Sequence, residues 1–549
     1  MRTPSIAPFS ATAYHGKMAQ EKGASHLYLL GLDFGSTTSS ALIAQAKIEG
    51  ESVQGHLRLG DTQIIYRSKI VFTPFINTPS LPNENKIDAD CVRQMIQTWL
   101  KESGFTPEDF FAGGVMITGL AARSHNAHVL ADLINQQIGE VLIATADDPC
   151  LESWLAFMGS CAALSRFHAH QLILNLDIGG GTTNPALGLN GQVSATGCYF
   201  IGARHFKFSA GTYKIIALTP EAQQLLQHLN IHKKEGDTLD KAECKRIIDQ
   251  YIKALRAIAL GDTQFFKTSA WKDVAQQVFN LDCINLDQKP AAKITFSGGV
   301  GELVYQFADA KTNTKTNTNV QNDLQNSVLS STMLPSTTYF GDFGIDLACA
   351  IVDDPILNLD IHQFVPENKG RATVYGLTLH STEVSGSSLY LPNPNILPLR
   401  NLPILASISE SADNITLKQT ILQFTHRAWH AHGGCLQLLP STDATNKTDI
   451  RALGQNIAAA FTCAITEYAA TGIHLINGLE NSLPADLTQV LVILISENAG
   501  KTLGQYATNW GSLPINLIVI DEISVRRANF INIGKPYQSI VPIAFYGIQ

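Results

Sequence analysis

Apolar residues run almost unbroken through Tyr28–Leu32 to Asp33, stop at the polar stretch "GSTTSS" of residues 35–40, and resume from Ala41 to Ala46. That alternation predicts a strand, a tight turn and a return strand. The same pattern recurs from Leu172: apolar residues lead to Asp177, "GGGTT" follows at residues 179–183, and the return strand ends at Asn190-Gly191. An Asn-Gly pair is a strong two-residue hairpin signal, so a further strand is expected over "QVSATG". The two aspartates are 144 residues apart (177 minus 33), the spacing of a duplicated domain. A third element, "KITFSGGVGELV" at residues 293–304, predicts a short strand, a glycine-rich turn and a helix. Pro185 sits in the second return strand and removes a ladder donor, so an edge strand or a bulge is expected there.

Between these patterned segments lie two poor ones. Residues 1–26 are rich in Ser, Ala, Gly and Pro and are expected to form a mobile tail. Residues 311–327, "KTNTKTNTNVQNDLQNS", have almost no large apolar side chains to offset the entropy of ordering, and a disordered surface insertion is expected. The 549 residues are 45% hydrophobic, enough for two to four packed domains. A net charge of -8 with 16% charged residues offers no basic face to a nucleic-acid backbone. Nine scattered cysteines without a C-x-x-C pair suit free thiols and a cytoplasmic protein. No apolar run approaches the roughly 18–20 residues that span a bilayer, so membrane insertion is not expected.

The turns have a chemistry of their own. Glycines let main-chain N–H groups crowd a phosphate, Thr and Ser hydroxyls add donors, and an aspartate at a strand end can hold a hydrated metal that neutralises it. One such turn is a weak signal; two at domain spacing are much stronger. In the third element, Gly298 and Gly299 leave room for a flat base and its ribose against the backbone.

Two D-x-G-x-[ST]-[ST] hairpins followed by S-G-G-V-G resemble the signature of the actin, sugar-kinase and Hsp70 ATPase superfamily. The resemblance implies an α/β fold of two actin-like, ribonuclease-H-like lobes, residues 27–171 and 172–354, with Mg-ATP in the cleft between them. It implies that Asp33 and Asp177 face Mg2+ and the attacking water. Gly35, Ser36, Thr37 and Thr38, with Gly179, Gly180, Gly181, Thr182 and Thr183, would hold the phosphates. Ser297, Gly298, Gly299, Val300, Gly301 and Glu302 would hold the nucleoside. Glu152 falls where the resemblance places a helix linking the lobes, and is open to two roles: ordering water around the metal, or a structural salt bridge.

Within the superfamily, "ITGLAARSHNAHVLADLI", "DDPCLESWLAFMGS", "RATVYGLTLHSTEVSGSSLYLP", "LPLRNLPI", "GKTLGQ" and "VIDEISVRRANFINIGKP" are similar to the ethanolamine ammonia-lyase reactivating factors, the EutA family. That implies an ATP-dependent chaperone which expels damaged cobalamin from ethanolamine ammonia-lyase so that intact adenosylcobalamin can enter. Ser36 stands where threonine is usual. Residues 355–549 form a further C-terminal α/β region that generic members lack, and are the expected lyase-contacting part, with Arg526 and Arg527 as trial contacts. A homodimer and association with a bacterial microcompartment are both left open.

Other readings are weaker. A small-molecule kinase of the same superfamily needs a base over an acceptor pocket, and no motif supplies one. An ATP-driven electron donor needs cysteines gathered for an iron–sulfur cluster, which are missing. His426 and His430 have helical zinc spacing, but Arg427 occupies the place of a metalloprotease Glu, so an ordinary helix is expected. "NAGKT" at residues 498–502 lacks the first P-loop glycine, where Ile495 stands, and reads as a strand-to-helix turn.

Overall fold

The computed structural model describes residues 26–548 except 36–37, 51–56, 77–85, 118–125, 127–132, 135–136, 138–141, 145–148, 273, 278, 280–291, 318–336, 387, 432, 442–448, 471–488, 527 and 538–539. The tail of residues 1–25 therefore lies outside the described residues, as do Ser36, Thr37 and Arg527. Among the described residues no helix is long and apolar enough to cross a membrane.

Two sheets share one topology. In the first, Leu27–Phe34 pairs antiparallel with Thr38–Gly50 and parallel with Phe110–Ile117. In the second, Ile173–Ile178 pairs antiparallel with Thr183–Leu189 and parallel with Lys293–Ser297. Each leading strand is thus flanked by its own hairpin partner and by a later parallel strand, the duplication expected from the sequence. The Asn190-Gly191 turn has the two positive φ values, 49° and 77°, that such a hairpin requires, and joins Thr183–Leu189 to Gln192–Thr196. Pro185 is not on an edge. It lies inside the second sheet, opposite Leu176, and its carbonyl accepts from Gly197 N (2.9 Å), where the neighbouring chain passes between two short strands. The register shift of this strand falls further on, between Leu187 and Gly188.

The helix Ala89–Ser103 buries Val92, Ile96 and Trp99 on the first sheet against Leu30, Leu32 and Phe34. Asp88 caps its start by accepting from the amides of Asp90 and Cys91, and Gly104 (φ 74°) ends it. A linker helix, Pro149–Ser160, runs from the first lobe to the second, where Phe157 is buried with Ile173 and Ala186. A return helix, Ala372–His380, crosses it and packs on the first sheet through Leu377 against Met116 and Val374 against Leu42. A Cβ on Gly159 would lie 2.0 Å from Ala372 O, and one on Gly376 would lie 2.0 Å from Leu155 O. Only glycine permits this approach.

The return helix shows that the chain after 355 first completes the paired lobes. The third unit starts at Thr382, with seven strands in the order Thr382–Val384, Pro542–Ile548, Ala528–Ile533, Leu399–Ser409, Gly434–Leu439, Val490–Leu494, Asn516–Ile520. The last four run parallel, joined through helices Asn414–His430, Ile450–Ala470 and Gly500–Ala507. Their residues alternate in destination: Leu491 and Ile493 face the helix-side core with Phe424 and Phe461, whereas Val492 and Leu494 join Ile518, Ile531 and Ile543 on the other face. Thr382–Tyr390 ties the two edges together. Thr382 pairs with Ala544, Gly386 N donates to Asp521 O (3.0 Å), and Tyr390 bridges to Val519. The sheet is thereby closed on itself.

Part of the predicted insertion is ordered. The helix Gly298–Asn317 takes in its first seven residues, 311–317, and Lys311 pairs with Asp353. Residues 318–327 lie outside the described ones.

Candidate nucleotide cleft

The two glycine turns close with the same hydrogen bond. Gly35 N donates to Thr38 O at 2.9 Å, and Gly179 N donates to Thr182 O at 2.9 Å. In the second turn every glycine carbonyl is held from one side: Gly179 O by Ala203 N (3.1 Å), Gly180 O by Arg204 N (2.6 Å) and Gly181 O by His205 Nε2 (2.9 Å). Because a carbonyl only accepts, Nε2 carries a proton; Nδ1 lies 2.7 Å from the Thr219 hydroxyl and 3.5 Å from Glu221 Oε2. No hydrogen bond within the described chain uses the amides of Gly180 and Gly181, which stay free for an anion. In the first turn, Thr73 Oγ1 donates to Gly35 O (2.7 Å) and contacts Ser39 Oγ (2.9 Å).

Asp33 and Asp177 occupy equivalent places, each one residue before the end of its leading strand. They are close enough to repel. Burial first, and then the charge of Asp177, push the Asp33 carboxyl up to about 7, and its buried Oδ1 has no hydrogen-bond partner. Burial also raises Asp177 to about 6, opposed by the hydroxyl of Ser297, which donates to Oδ1 at 2.5 Å. Two buried strand-end carboxylates are hard oxygen donors of the kind that a hydrated divalent metal takes.

The third motif divides. Gly298 has φ 78° and a Cβ there would lie 2.5 Å from Ile178 O, so the turn demands glycine. A Cβ on Gly299 would meet nothing within 4 Å, which leaves the backbone there open to a ligand. The side chains of Ser297 and Val300 are buried: Ser297 is fully inaccessible and bonded to Asp177, and Val300 is in the core of the second lobe. Gly301 packs on Phe296, and Glu302 lies over Gly370. Glu152 is in the first turn of the linker helix, where its charge acts on the buried Cys198 thiol; the charge acting on Asp33 is that of Asp177.

Other residues were not foreseen. Asn175 supports Ser297, Arg204 holds the Gly180 carbonyl through its amide, and His205 holds that of Gly181. Of these only Asn175 carried a signal, as a lone amide in an apolar strand. Arg526 is not a solvated contact residue. Its guanidinium lies 4.9 Å from the ring centre of Trp154 in the linker helix and 5.6 Å from that of Phe545, and it pairs with Glu383. His426 faces Glu467 at 3.5 Å, the "NAGKT" segment is the turn into the helix Gly500–Ala507, and the eight described cysteines are free thiols.

Duplicated lobes with paired strand-end aspartates, a glycine turn after each and two crossing helices between them define an actin-like two-lobed protein. The family model of the ethanolamine utilisation protein EutA matches residues 25–546, so the chain belongs to the EutA family. It is 27% identical over 531 residues to the ethanolamine ammonia-lyase reactivase EutA of Salmonella typhimurium, covering 94% of this chain and 97% of that protein. The Escherichia coli protein of the same name is 26% identical over 524 residues, with the same coverage of 94% and 97%. Among solved structures, the Aquifex aeolicus PPX-GPPA enzyme superposes with a TM-score of 0.31 at 14% identity, covering 52% of this chain and 72% of that one.

Proposed function

We propose that this chain is an ATP-dependent reactivating chaperone of ethanolamine ammonia-lyase, releasing damaged cobalamin so that intact adenosylcobalamin can bind. Family membership over residues 25–546, joined to a cleft with paired strand-end aspartates, carries the reading. In the cleft, Asp33 and Asp177 hold hydrated Mg2+, the amides of Gly180 and Gly181 bind phosphate oxygens, and the open backbone at Gly299 takes the nucleoside. Mg2+, when bound, neutralises phosphate charge and polarises the bond to be broken. The chain's own part is to orient the phosphates, hold the two lobes against a common ligand and keep a carboxylate near the attacking water.

Coupling to the lyase runs through the third unit. Nucleotide bridging the lobes favours one cleft geometry, and loss of the γ-phosphate releases it. The linker helix lies between the lobes, and Arg526 of the third unit is stacked on its Trp154. A lobe movement is thereby transmitted to the closed sheet, which presents the lyase-binding surface. Moving the lyase from 99:1 cofactor-holding to 1:99 requires about 5.5 kcal/mol of differential affinity, within reach of one nucleotide cycle.

The test is to mix the chain with cyanocobalamin-inactivated ethanolamine ammonia-lyase, ATP, Mg2+ and fresh adenosylcobalamin. Restored turnover that needs ATP supports the function. No recovery, with ATP consumption that depends instead on a small acceptor, replaces it with a kinase.

A further inference from the structure

A buried file of polar side chains leads from the end of the linker helix to Asp177. Cys161, Thr295, Asn175 and Ser297 are all fully inaccessible, and Asp177 is 5% exposed. Near the carboxylate the bond directions are fixed by what each group can give. Asn175 Nδ2 can only donate, and gives to Ser297 Oγ (2.8 Å), so the Ser297 proton goes to Asp177 Oδ1 (2.5 Å). Asn175 Oδ1 can only accept; the Thr295 hydroxyl lies within reach of it (3.2 Å) and of the Leu174 carbonyl (3.3 Å). Thr295 Oγ1 also contacts Cys161 Sγ (3.3 Å).

The Asn175 amide and the Ser297 hydroxyl thus both point toward the carboxylate. Asp177 Oδ1 is held by the Ser297 hydroxyl, whereas Oδ2 takes no hydrogen bond among the described residues. A file serving only the core would be replaceable by apolar side chains at little cost. Here it ends instead on a group with one oxygen clamped and one left over. We infer that Ser297, held by Asn175, is a positioning residue of the cleft: it fixes the rotation of the Asp177 carboxylate so that Oδ2 is the oxygen offered to the metal–nucleotide. The inference rests on the nucleotide reading of the cleft.

The experiment follows binding of a fluorescent ATP analogue by the full chain, titrated with Mg2+ and repeated in EDTA. Ser297→Ala is expected to raise the Mg2+ concentration for half-saturation about tenfold, with the Mg2+-free affinity within twofold of wild type. Ser297→Thr, which restores the hydroxyl, is expected to return it to within threefold. Asn175→Ser, one bond further from the carboxylate, gives a smaller increase of the same sign and tests the same relation if Ser297→Ala does not fold. Equal losses with and without Mg2+ would mark Ser297 as merely structural, and unchanged Mg2+ dependence in both Ser297→Ala and Asn175→Ser overturns the inference while leaving the cleft reading intact. Wild-type protein that shows no Mg2+-dependent binding overturns both.

Discussion

Truncating Arg526 should uncouple the third unit from the linker helix. The guanidinium is sandwiched between Trp154 and Phe545 and ion-paired to Glu383, whose other oxygen accepts from Ser524 N at 3.1 Å. Each cation–π contact is worth about 0.5–1 kcal/mol when exposed and about 2 when desolvated. The Arg526 and Glu383 side chains are 21% and 17% exposed, so the pair is discounted from the buried range to about 1–2 kcal/mol. Because the contacts share one group and do not add fully, Arg526→Ala should cost about 2–4 kcal/mol. Urea unfolding of Arg526→Ala, Trp154→Leu and the double variant isolates the stacking, with a coupling energy of about 0.5–2 kcal/mol expected. A second signal comes from His380, which burial first, then Arg166 and Arg526, hold down at about 4; loss of Arg526 should raise it, as followed by NMR titration. Nucleotide affinity should stay within about threefold of wild type while lyase reactivation falls at least tenfold. A coupling energy of zero with unchanged reactivation refutes the reasoning. Weakened lyase binding in Arg526→Ala but not in Trp154→Leu would instead make Arg526 a direct contact.

Asp177→Ala and Gly180→Val should each weaken Mg2+-dependent nucleotide binding at least tenfold by equilibrium titration, and unchanged affinity in both would remove the cleft. Gly376→Ala forces a Cβ to within 2.0 Å of Leu155 O at the helix crossing and should cost about 1–3 kcal/mol in urea unfolding, as overpacking does; a neutral result would mean that the crossing can open. Asp33, raised to about 7, binds its proton more tightly in the folded than in the unfolded chain, so its contribution favours folding at low pH and is lost as pH climbs from about 4 to about 7. Nucleotide-free Asp33→Asn should therefore lose less stability over that range than wild type, and identical pH profiles would contradict the assignment. In wild type, Mg-nucleotide binding near pH 6 should release protons, seen in calorimetry as a binding heat that varies with the buffer's ionisation enthalpy.

The paired turns were legible because their cause is local. Asp33 with Gly35, and Asp177 with Gly179–Gly181, lie within a few residues of each other, and each hairpin closes by a bond between residues three apart. The same reasoning does not reach the buried bond of the Ser297 hydroxyl to Asp177. Strand alternation sends Ser297 beneath the sheet, but its partner Asp177 is 120 residues away and pairing register, not local pattern, brings them together. The return helix Ala372–His380 is hidden from the sequence for a related reason: it follows the second lobe in sequence yet packs on the first. Pro185 looked like an edge residue because the sequence does not reveal that its neighbour is interrupted at Gly197.

Arg526 shows why a charged residue in a family-specific segment is a poor guide to a surface. Its partners Trp154, Glu383 and Phe545 are drawn from three separate stretches of chain, so nothing near residue 526 distinguishes a stacked guanidinium from a solvated one. The distinction matters mechanically. Asp33 and Asp177 belong to different sheets, and any ligand gripping both sets the angle between the lobes. That angle is read by the two helices crossing at Gly159 and Gly376, where backbone lies against backbone and leaves little slack. Close-packed elements of this kind shift as units rather than deform. A cation held between an aromatic ring on the linker helix and another on the third unit's sheet would carry a displacement from one to the other, and Arg526→Ala with Trp154→Leu is the pair of variants that tests whether the cleft and the third unit move together.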